Sequence, residues 1–111
     1  MGAWIMATTV DSETAISFQT SVPSTGGTVS LTREKVVYAI IRPAGTLATL
    51  TVNMPSNPQH GDEVVITSEQ ILTALTLGNG TIIGAVTSLV VGGFARYIYT
   101  TEGSAKWFRV G

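Results

Sequence analysis

The sequence predicts an all-β fold, and three observations carry that expectation. Strand-like alternation dominates from about residue 14 onward, turn-forming residues interrupt it at intervals of roughly 8 to 12, and helical periodicity is nearly absent. Together they predict a compact antiparallel β-sandwich, jelly-roll-like and of about seven to eight strands, over residues 15–111, preceded by an N-terminal arm of residues 1–14. A chain of 111 residues buries roughly two thirds of its unfolded surface, enough for one core but not for a two-domain enzyme.

Taken in order, the arm has no clear period. It does contain Trp4, Ile5 and Met6, an apolar cluster at a place where chain ends normally fray, so an ordered arm needs a surface to lie on. Lys35-Val-Val-Tyr-Ala-Ile-Ile-Arg42 is β-branched and apolar on both parities, the pattern of a central strand covered on both sides, and Pro43-Ala-Gly45 ends it. Leu47 to Met54 alternates cleanly: Ala48, Leu50, Val52 and Met54 share one face, and Thr49, Thr51 and Asn53 the other. Pro55 to Asp62 holds two prolines, turn formers and a glycine and must be a loop before the strand Glu63 to Ser68. Ser68 is a suitable N-cap with Glu69 and Gln70 in the first turn, predicting a single helical turn over 68–75. Asn79-Gly80, between Leu75-Thr-Leu77 and Thr81-Ile-Ile83, predicts a tight hairpin. Phe94 to Thr100 and Ala105 to Val110 flank Thr101-Glu-Gly-Ser104 as a terminal hairpin. Phe94, Arg96 and Ile98 lie on one of its faces and Ala95, Tyr97 and Tyr99 on the other. No internal repeat stands out.

Composition narrows the function classes. Charged residues make up 12% of the chain, about half the usual share of ~25%, so either hydroxyls keep the surface soluble or much of it faces a partner. The net charge is -1, with six Lys and Arg spread along the chain, which provides no footprint for nucleic acid or an anionic membrane. The absence of cysteine excludes disulfides, thiolate metal sites and cysteine nucleophiles. The opening residues do not form a secretory signal. Thr81 to Phe94 is interrupted by Gly84, Thr87, Ser88, Gly92 and Gly93 and falls short of the roughly 20 residues of a membrane helix, so no membrane insertion is expected.

Catalytic patterns are missing. The single histidine, His60, sits beside Asp62 and Glu63, but zinc asks for three or four ligands and acid/base work asks for a second positioned group, so these residues read as turn formers. The carboxylates Asp11, Glu13, Glu34, Asp62, Glu63, Glu69 and Glu102 read as solvated charges. No Gly-x-Ser-x-Gly elbow occurs, and the glycine pairs match no phosphate-binding fingerprint. No cofactor is expected. Arg96, Tyr97, Tyr99, Lys106, Trp107 and Arg109 interleave bases with aromatics, an arrangement that can stack a sugar ring, although closing hairpins also put aromatics into cores.

From about Leu31 onward the chain resembles a compact β-domain of tailed-bacteriophage virion proteins. The residues that carry the likeness are Ala44-Gly-Thr-Leu-Ala-Thr-Leu-Thr-Val-Asn-Met-Pro55, Asn57-Pro-Gln-His-Gly-Asp-Glu-Val64, Leu75-Thr-Leu with Asn79-Gly-Thr-Ile-Ile-Gly84, and Tyr97-Ile-Tyr followed by Trp107-Phe-Arg. The resemblance implies a non-enzymatic structural protein on the exterior of the particle, often a homotrimer, partnered by the major capsid protein or another virion protein. With only about fifteen residues ahead of the sandwich, a head decoration or cement protein is expected, held through Trp4, Ile5 and Met6. The alternative is a tail fibre, spike or tail-needle knob that recognises a host surface glycan or protein through loop residues Asn57, Gln59, His60 and Glu102. A third reading, a free carbohydrate-binding module, would use Tyr97, Tyr99 and Trp107 as a stacking platform.

Overall fold

The computed structural model describes residues 16–111. Among these residues there are nine strands and no helix: β1 (Ile16–Ser21), β2 (Gly27–Ser30), β3 (Val36–Ile41), β4 (Leu47–Asn53), β5 (Glu63–Ser68), β6 (Leu72–Gly78), β7 (Ile82–Ile83), β8 (Phe94–Thr100) and β9 (Lys106–Arg109). They form a six-stranded sheet, β1-β3-β5-β8-β9-β7, and a three-stranded sheet, β2-β4-β6. The expected arm, with Trp4, Ile5 and Met6, lies outside the described residues.

The fold is all-β, but the antiparallel jelly-roll-like pairing is corrected. Strands β1, β3 and β5 run parallel in one sheet, and β2, β4 and β6 run parallel in the other. The chain therefore winds from sheet to sheet and stacks each coil on the one before. Ile16 pairs with Val36 and Val36 with Glu63, while Gly27 pairs with Leu50 and Leu50 with Leu75, so a coil takes roughly 20 to 27 residues, a solenoid-like period. Antiparallel pairing appears where β8 and β9 close the larger sheet. Alternation in a sequence fixes which side chains face inward but not the direction of the neighbouring strand. A parallel neighbour needs a crossover, and here a strand of the opposite sheet supplies it.

Stacking places like beside like. In the larger sheet Val37, Val64 and Tyr97 form one inward row and Ala39, Ile66 and Ala95 another; in the smaller, Leu50 meets Leu75 and Val52 meets Leu77. These residues build the single core with Ile41, Met54, Leu72 and Trp107. In β1 the inward positions turn polar, to Ser17, Gln19 and Ser21. Gln19 bonds the backbone of Thr32 through both ends of its amide, at 2.8 Å each, and its amide nitrogen also donates to Ser17 Oγ.

Three local expectations change. In β4 the alternation slips, so that Leu47 is buried and both Ala48 and Thr49 are exposed; β6 repeats the slip at Leu72, Thr73 and Ala74, in register. Ser68 caps no helix. Its hydroxyl accepts from Gln70 N and donates to Gln70 O, which turns the chain through a sharp corner into β6. Asn79-Gly80 does not join a hairpin, because β6 and β7 belong to different sheets. Asn79, at φ 66°, carries the chain between them and donates its amide to Met54 O.

Tyr97 is fully buried on β8. Its hydroxyl accepts from Val86 N at 2.9 Å and donates to Gly84 O at 3.2 Å, holding the long segment between β7 and β8 against the core. Burial pushes its pKa up, against the smaller opposing pulls of the Val86 bond and the charge of Arg109. The unfolded chain therefore releases this proton first. Stability is unaffected below the ordinary tyrosine value of about 10 and falls as pH rises through the folded value. Tyr97→Phe is expected to cost about 1–2 kcal/mol at neutral pH and to flatten the alkaline loss, read by urea unfolding at a series of pH values up to about 11. An unchanged alkaline slope would contradict this account.

Candidate functional site

Every second residue of the larger sheet points away from the core, and this outer face is apolar. One row across it runs Phe18, Tyr38, Val65, Arg96; a second runs Ile16, Val36, Glu63, Ile98, Phe108, Ile83; a third runs Thr20, Ile40, Thr67, Phe94. Phe18 is 64% exposed, Phe94 56% and Tyr38 37%. Phe18 and Tyr38 meet edge to face at 5.6 Å between ring centroids. Arg96 is paired with Glu63 on the face itself, and Lys106 lies 5.9 Å over the Phe108 ring. The apolar character on both parities of residues 35–42 is thus real, but only Val37, Ala39 and Ile41 are covered. The second cover expected for this strand is missing among the described residues.

The opposite side of the molecule has different chemistry. The outward rows of the smaller sheet are Thr28, Thr51, Thr76 and Ser30, Asn53, Gly78. Hydroxyls keep that face wet, so the low charge of the sequence divides into a hydroxyl face and an apolar one.

The loop residues expected to recognise a surface come together at one end. Asn57, Gln59, His60 and Glu102 are all exposed. The two loops that carry them touch, with Thr101 N donating to His60 Nδ1 at 3.2 Å, and Gly61 N bonded to Tyr99 O. Asp62 departs from expectation: it is not a solvated charge but 1% exposed. Its carboxylate accepts from Arg33 Nε and Nη2 and from Gln59 N, each at 2.8 Å, and its backbone O accepts from Tyr99 N. This carboxylate raises the pKa of Arg33, chiefly through the hydrogen bond. Glu63 and Glu69 are also paired, with Arg96 and Arg42. Asp11 and Glu13 lie outside the described residues.

The stacking platform fails on geometry. Tyr97 and Trp107 are core residues, and the half-buried Tyr99 tilts onto Trp107 at 5.1 Å, so the three rings do not form an exposed platform for a sugar. Among the described residues no group of three or more His, Asp or Glu is placed to hold a metal ion, and no helix is long and apolar enough to cross a membrane. Compared with family models, curated proteins and solved structures, the chain matches none. Sequence reasoning missed the outer face, although the two-sided apolarity of residues 35–42 beside so few charges was its signal.

Proposed function

We propose that the protein is a non-enzymatic structural component of the exterior of a tailed-phage particle, a decoration or cement protein that binds the head surface and stabilises it. The observation that carries the reading is the exposed apolar face of the six-stranded sheet. Exposed patches beyond a few hundred Å² mark interaction sites, and a face so poor in free charge suits a protein partner better than nucleic acid or a lipid headgroup. The resemblance of its motif order to phage virion β-domains supports the biological setting. Many copies on a repeating lattice would turn modest contacts into firm attachment.

The contact between the Pro55–Asp62 and Thr101–Ser104 loops favours a second reading, a fibre, spike or needle-knob tip that touches a host glycan or protein with Asn57, Gln59, His60 and Glu102. Separating heads from tails in disrupted particles, with the protein followed by mass spectrometry, distinguishes the two. Recovery with the heads is expected; recovery with the tails would replace the first reading with the second.

A further inference from the structure

We infer that the outer face of the six-stranded sheet is covered by a second copy of this chain. The inference rests on reading that face as a protein-binding surface and names its occupant: the face joins copies to one another, and attachment to the particle falls to the rest of their surface.

Area supports a sheet-on-sheet contact. Strands about 4.8 Å apart and about six residues long at roughly 3.3 Å per residue make a face on the order of 500 Å². Two such faces together bury on the order of 1,000 Å², the lower bound for a specific interface. Side-chain relief from Phe18, Tyr38 and Phe94, all exposed, adds to it.

Charge makes the face complementary to itself. The Arg96–Glu63 ion pair is internal to one copy and Lys106 lies over the Phe108 ring, so two copies can meet while burying little unpaired charge, the usual cost of closing such a surface. Edges and faces that must stay free usually carry lysines or inward-pointing charges, whereas the first two strands present Ile16, Phe18, Val36, Tyr38 and Ile40. Two faces of one kind related by a two-fold axis satisfy each other, the simplest closed arrangement for identical chains.

The experiment is the oligomeric state of the full chain by light scattering and sedimentation over a range of concentrations, beside Phe18→Asp/Tyr38→Asp and a chain lacking residues 1–14. Both replaced side chains are exposed, so the variant is expected to keep the wild-type circular dichroism and tryptophan fluorescence. The full chain and the truncated chain should both self-associate. The double variant should weaken association by roughly a hundredfold, as loss of central aromatic contacts does. Three outcomes would overturn the inference. One is a full chain and a truncated chain that both stay monomeric at every concentration. Another is a double variant that associates as well as the parent. The third is a full chain that is monomeric while the truncated chain associates, which would assign the face to the N-terminal segment. Any of these leaves the virion reading standing or falling on particle fractionation alone.

Discussion

Trp107→Ala is expected to cost about 3–5 kcal/mol, the range for removing a buried indole. Trp107 sits at the middle of β9, 1% exposed, where three segments depend on it. It tilts against Tyr99 of β8, it is in register with Ile82 of the two-residue strand β7, and Gly80 passes over its ring edge, where an added Cβ would lie 3.6 Å from Cδ1. Strand β7 has little else to hold it, so loss of the indole should release β7 as well as open a cavity. For a domain of this size the melting temperature should fall by on the order of 20 °C, read by thermal circular dichroism. A fall of only a few degrees would mean that the closing strands do not depend on this side chain.

Asp62→Ala is expected to cost about 2–3 kcal/mol, because the lost carboxylate leaves Gln59 N without its acceptor and gives up charge-assisted bonds to Arg33, whose side chain is 38% exposed and stays hydrated. The carboxylate joins Arg33, from the connection between β2 and β3, to Gln59 in the loop before β5. Its own main chain holds β8 through Tyr99 N, so one side chain staples successive coils to the closing strands. Asp62→Asn keeps an oxygen that can accept from Gln59 N but gives up the two-toothed contact with Arg33, and should fall between wild type and alanine in urea unfolding. Because a guanidinium stays charged at any working pH, the raised Arg33 pKa adds no titration between neutral and mildly alkaline conditions. Equal stability of Asp62→Ala and wild type would remove this staple from the account.

Much of the fold is legible in particular residues. The strand at 36–41, the loop at 55–62, the strand at 63–68 and the terminal hairpin follow from alternation and turn chemistry, which are local. Strand direction is not local. The likeness of Leu47-Ala-Thr-Leu-Thr-Val-Asn to Leu72-Thr-Ala-Leu-Thr-Leu-Gly, in register one coil apart, was the repeat that announced parallel stacking. It is short, and the coils differ in length, so no fixed period advertised it. Asp62 looked like a turn residue because its partner Arg33 lies 29 positions away. The exposed loop residues were legible because prolines and glycines advertise loops, whereas the contact between the loops depends on β5 and β8 pairing. The apolar face was half legible: residues 35–42 showed that both sides of a strand were apolar, but not that one would be left open.

The central claim is that this chain coats a particle surface in many copies, and counting those copies tests it most directly. On the proposed reading, quantitative mass spectrometry of phage particles purified from the source of the chain should find it at a number comparable to that of the major shell protein. A handful of copies per particle, or none, would contradict the claim.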